Sequence, residues 1–107
     1  MDKTRNDIIN KLENILKEID EKISFANEGY LKNEEAKDFI TRVGKELDNL
    51  LPKDSIPHRK YLRLREEKDD KWWKEEKTTF VTKNSSSYRR LFNFQDIVKE
   101  ILKVSRK

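Results

Sequence analysis

Two copies of Glu-Glu-Lys, at residues 66–68 and 75–77, and a single histidine, His58, come nearest to catalytic chemistry in this 107-residue chain. Paired carboxylates beside a lysine serve metal-dependent phosphodiester cleavage, but only where the acids converge on adjacent strands to hold Mg²⁺. Here both triplets lie in a run dense with charge and read as decoration along a helix surface, a pattern that chance supplies readily. His58 stands in PKDSIPH between two prolines and an arginine. No cysteine or general-base pattern accompanies it, so it reads as a surface residue. With 2 glycines there is no glycine-rich phosphate loop, and with no cysteine there is neither a disulfide framework nor a thiolate metal cage. The chain is expected to be non-catalytic and to use no metal or cofactor.

Recognition chemistry has more support. Residues 69–77 read DDKWWKEEK, which sets Trp72 beside Trp73 among charges. Consecutive side chains point about 100° apart on a helix and to opposite faces on a strand, so one small core position cannot take both indoles. One can bury, and the other is expected at a rim or in an interface, where tryptophan brings large area at small entropic cost. The bland alternative is an indole lying flat under lysine stems. Basic groups fall in three clusters: Arg59, Lys60, Arg63 and Arg65; Arg89 and Arg90; and Lys103, Arg106 and Lys107. Guanidinium forks grip carboxylates and phosphates alike. If the first two clusters meet beside Tyr61, Tyr88 and an indole, they form a docking face.

Glu66, Glu67, Asp69, Asp70, Glu75 and Glu76 interleave with these cations. They blunt the continuous positive field that a nucleic-acid groove relies on. The expectation is therefore an adaptor or inhibitor that binds a protein with an acidic surface. Its binding residues are expected to be Arg59, Lys60, Tyr61, Arg63, Arg65, Trp72, Trp73, Tyr88, Arg89 and Arg90. The alternative is a sequence-tolerant DNA or RNA binder, in which the rings stack on bases.

Composition sets the frame for these residues. Leu, Ile, Val and Phe number 10, 9, 4 and 5, about a quarter of the chain and above the roughly 20% below which disorder is the default. A modest core is expected in one small domain. Residues 1–51 carry 9 Lys/Arg against 12 Asp/Glu, and residues 52–107 carry 16 against 9, so the halves differ in character. Seven of the ten aromatics also lie in the second half. No 18-residue apolar run and no apolar stretch after MDKTRND point to a membrane span or a signal peptide, so a cytoplasmic location without membrane contact is expected.

The expected fold is mainly α, with an N-terminal antiparallel helical hairpin over 1–51. Ile8, Leu12, Ile15 and Ile19, flanked by Ile9, Leu16 and Ile23, give the first helix a wide apolar stripe. Thr4 and Asp7 suggest a capping box, and Gly29 a stop. Asn33 reads as the cap of the second helix, whose stripe runs Ala36, Phe39, Ile40, Val43, Leu47, Leu50 and Leu51 before Pro52. Gly44 within it would permit a close approach. Residues 52–58 read as a linker and 59–107 as the basic, aromatic half. Its middle segment is ambiguous between a helix over about 58–76, with 78–83 extended, and a short β-hairpin pairing KYLRLR with KTTFVTK. NSSS (84–87) reads as a loop. A C-terminal helix over 94–105, capped by Asn93 with Phe92 and Ile97 as a staple, presents Phe94, Ile97, Val98, Ile101 and Leu102. The first-helix stripe is wide enough that a second copy of the chain could cover part of it, a homo-oligomer through the N-terminal helices.

Overall fold

The computed structural model describes residues 4–68 and 78–107. Among the described residues the fold is all-α, with four helices: α1 (Arg5–Asn27), α2 (Asn33–Leu50), α3 (Ile56–Lys68) and α4 (Ser86–Ser105). The body measures 43 × 24 × 22 Å. No described helix is long and apolar enough to cross a membrane.

Local chemistry sets the ends of the first two helices. Thr4 Oγ1 accepts from the Asp7 N–H at 3.2 Å and caps α1. At the other end the Gly29 N–H bonds to the Ala26 carbonyl and the Tyr30 N–H to that of Phe25. This pair of reversed bonds requires a left-handed residue, and Gly29 supplies it at φ +83°. The chain turns back at once, so α2 returns antiparallel beside α1, with Arg42 on Glu18 at 2.7 Å. The expected hairpin and its apolar stripes are present.

The hairpin is not closed mainly against itself. α1 and α2 touch each other little, and α4 is the element that packs on all three others. Leu91, Phe94, Ile97, Val98, Ile101 and Leu102 of α4 are all at most 5% exposed. At about 1.5–3 kcal/mol per large apolar side chain, these six alone contribute on the order of 10 kcal/mol before chain entropy is counted. α4 lies antiparallel to α1 along its length. Asn27 meets Tyr88, Asp20 meets Gln95, and Glu13 meets Arg106. It also runs antiparallel to α3, where Lys68 meets Asp96 at 3.7 Å.

The middle segment is helical where it is described. α3 begins at Ile56, inside the stretch expected to be a linker, because Ser55 Oγ caps the His58 N–H and Pro57 suits a first turn. Residues 69–77, the rest of the expected 58–76 helix, lie outside the described residues. Residues 79–81 are extended and form an isolated antiparallel bridge, Lys32 with Phe80. In it the Val81 N–H donates to Leu31 O at 2.7 Å and the Asn33 N–H to Thr79 O at 2.8 Å. KYLRLR is helix, so the β-hairpin alternative falls.

Two capping assignments are corrected. The C-terminal helix starts at Ser86 rather than 94, and takes in part of the expected NSSS loop. Asn93 therefore sits inside α4, where its amide donates at 3.0 Å to the carbonyl of Lys68, the last described residue of α3. Asn33 is the first residue of α2, not its cap, and is 9% exposed. Its amide donates to Thr78 O at 2.8 Å and Phe80 O at 3.1 Å, while its carbonyl oxygen accepts from Ser87 Oγ at 2.8 Å. One side chain thus fastens the 78–81 strap to both α2 and α4.

Asn33→Ala is expected to destabilise the fold by about 2 kcal/mol, since it strands the Ser87 hydroxyl and the Thr78 carbonyl, while Phe80 O keeps its bond from Thr78 Oγ1. Urea denaturation measures the loss. Amide exchange at Val81 should accelerate in the variant more than exchange in the middle of α1.

Candidate docking surface

The expected binding residues divide sharply by direction. α3 turns Tyr61 and Leu64 into the core, at 1% and 6% exposure. The Tyr61 hydroxyl donates to the Gly44 carbonyl at 3.2 Å and accepts from Arg65 Nη1 at 2.9 Å. The Arg65 guanidinium also faces two rings, its carbon 5.8 Å from the centroid of Tyr61 and 5.0 Å from that of Phe94. A Cβ at position 44 would stand 3.1 Å from Arg65 Nη1. The close approach foreseen at Gly44 is therefore real: its missing side chain admits the guanidinium between α2, α3 and α4. Burial pushes the Tyr61 phenol up to about 12, opposed by Arg65 and reinforced by Asp48.

Arg90 also points inward, at 6% exposure, whereas Arg89 is exposed. Tyr88 is half-buried. Its hydroxyl donates to Asn27 Oδ1 at 2.6 Å, and its ring stands edge-on to Phe92 at 5.0 Å. Tyr61, Arg65 and Tyr88 thus serve largely to join helices, and Arg90 is buried. Arg59 and Arg63 are exposed and Lys60 half-exposed on α3. Trp72 and Trp73 lie outside the described residues.

Helix direction also decides which clusters meet. Because α3 is antiparallel to α4, Arg59, Lys60 and Arg63 lie toward the end of α4, and Arg89 and Arg90 lie at its start. These three members of the first cluster are therefore separated from the second, whereas Arg65 reaches Phe94, one turn from Arg90. The three share an end of the molecule with the third cluster, Lys103, Arg106 and Lys107, and with Arg5, whose guanidinium donates to the carbonyls of Ser105 and Lys107. There Lys103 hydrogen-bonds Glu100 at 3.2 Å and holds its carboxyl below the usual carboxylate range.

Sequence reasoning missed two residues on this face. Ile56 and Leu62 point outward from α3 at 65% and 49% exposure. With Arg59, Arg63, Glu66 and Glu67 they are the exposed residues of the helix. The signal was present as the lack of a clean apolar stripe: apolar groups on both sides of a helix cannot form one. On α1, by contrast, Ile8, Leu12, Ile15, Ile19 and Ile23 are all buried within the chain, and Ile9 and Leu16 pack partly against the core. Little of that stripe is left for a second copy to cover.

The His58 ring leans on Tyr61 at 6.4 Å. Among the described residues no three His, Cys, Asp or Glu side chains converge as metal ligands would.

The Tyr61 phenol gives a pH signature of the α2–α3 contact. Its folded value lies above the ordinary 10.0, so its contribution to stability is complete below pH 10 and is lost as pH rises toward 12. Across that window wild-type stability should fall faster than that of Tyr61→Phe. The difference in tyrosinate absorbance between the two proteins should appear near pH 12; a difference centred on pH 10 would contradict the buried hydrogen bond. No protein-family model, curated protein or solved structure matches this chain.

Proposed function

We propose that this chain is a non-catalytic binding protein, an adaptor or inhibitor, that docks on an acidic surface of another protein through the outer face of α3. One observation carries the reading: α3 spends Tyr61 and Leu64 on the core and turns Ile56 and Leu62 outward beside Arg59 and Arg63. Isolated exposed aliphatic groups are ordinary on protein surfaces. Two of them on one short helix, bordered by arginines, have the make-up of a protein contact, with apolar anchors inside a charged rim. The arginines would steer an acidic partner and set orientation, and the aliphatic groups would supply area.

The nucleic-acid alternative has less behind it. Arg65 is turned into a helix junction and Arg90 is buried, and Glu66 and Glu67 are exposed on α3 with Arg59 and Arg63. Phe25, Tyr30 and Phe80, which are exposed enough to stack on bases, lie toward the opposite end of the bundle from Arg59.

The test places a photo-crosslinking amino acid at Leu62 and, as a remote control, at Tyr30, exposed in the α1–α2 turn at the opposite end of the bundle. The protein captured specifically at position 62 in the native cell is then purified and titrated. Leu62→Glu, and separately the Arg59→Glu/Arg63→Glu pair, should each weaken binding at least about ten-fold with an unchanged circular-dichroism melt. Equal capture at both positions, or undiminished binding by the variants, removes the α3 face. A retarded band with single-stranded DNA at low salt that survives in wild type and fades in the arginine variant would favour the alternative.

A further inference from the structure

At the end of the bundle where α3 begins there is a cleft of about 710 Å³, lined by Ile8, Leu51, Ile56 and Val104 with Arg5 and Lys107. Four helix ends meet around it: the starts of α1 and α3 and the finishes of α2 and α4. Its volume falls in the range of sites that bury a ligand or an anchoring side chain. Its chemistry sets it apart from two other grooves of the molecule. The groove along α1, α3 and α4 is lined by Glu13, Asp20, Glu67, Asp96 and Glu100 among its lysines. The one between α1 and α2 carries Glu18 and Glu46. Among the described residues, the end cleft is lined by no acidic side chain, and the two charged side chains described there, Arg5 and Lys107, are cationic.

We infer that this cleft receives an aliphatic side chain from an acidic amphipathic segment of the partner protein, with flanking carboxylates meeting Arg5 and Lys107. The inference deepens the docking reading and rests on it. Ile56, two-thirds exposed, both lines the cleft and opens the outer face of α3, so the two surfaces are continuous. Charge complementarity names the occupant. A neutral apolar segment would gain nothing from the two cationic side chains, and a basic one would be repelled. Arg5 is held at the rim by its hydrogen bonds to the Ser105 and Lys107 carbonyls, so its position is fixed before a ligand arrives. A preset cation of this kind lowers the ordering cost of binding.

The experiment uses the full chain with labelled methyl groups and two capped nonapeptides, one of leucines flanked by glutamates and its counterpart with lysines in place of the glutamates. The acidic peptide should shift the methyl resonances of Ile8, Leu51, Ile56 and Val104, and the basic peptide should leave them in place. Ile56→Asp tests the site without threatening the fold, because the side chain is exposed and an acid suits the first turn of a helix. This variant should bind the acidic peptide at least ten-fold more weakly, while Leu62→Glu binds it like wild type. If the acidic peptide moves Leu62 and leaves the cleft methyls unmoved, the cleft assignment is overturned and the α3 face stands. If both peptides shift the cleft equally, or neither does, the assignment is overturned as well.

Discussion

The fold depends on a single shared surface, the apolar circumference of α4. Three helices lean on it, and the two that form the hairpin scarcely lean on each other. The seam between α1 and α2 shows why. Lys22 and Arg42 lie over the Phe39 ring at 5.5 and 5.3 Å, and Arg42 reaches Glu18. Long amphipathic stems cover that seam where aliphatic side chains would otherwise interlock. Such exposed ion pairs add little stability. The strong term is the burial of both stripes against α4, so the last helix of the chain completes a core that the first two only outline.

This division of labour explains which elements were legible. α1, α2 and the second half of α4 announce themselves because their inward positions are uniformly apolar. The first half of α4 does not, because Ser87 and Arg90 occupy positions on the same inward stripe as Leu91 and Phe94, at 1% and 6% exposure. A periodicity read from hydrophobicity breaks at such positions, and the helix looks as though it begins at 94. Asn33 hid for the same reason. A residue type that favours helix caps was used as a buried three-way fastener, and the partners that decide between those roles, Thr78, Phe80 and Ser87, are distant in sequence.

The composition of the candidate surface was legible, but its geography was not. Which arginines stand together depends on the direction of α3. That direction depends in turn on whether the middle segment is helix or strand, a choice that local pattern left open. Once α3 runs antiparallel to α4, Arg59 and Arg63 join the basic C-terminal end and part company with Arg89. Tyr61 and Arg65, which look from sequence like a ring and a cation available to a ligand, become the means by which α3 grips Gly44 and Phe94.

That grip bears on function. α3 is attached through a small inward area, Tyr61 and Leu64, with Arg65 and the Asn93–Lys68 contact at its borders. Its outward residues contribute almost nothing to that attachment, so Ile56, Leu62, Arg59 and Arg63 can be exchanged with little effect on folding. A stability argument accounts for the residues that hold α3 down. It gives no reason for two aliphatic groups to face water on the same helix, where polar residues would serve the fold as well. The proposed docking would supply that reason, because the free energy of covering those groups is gained only when another surface arrives.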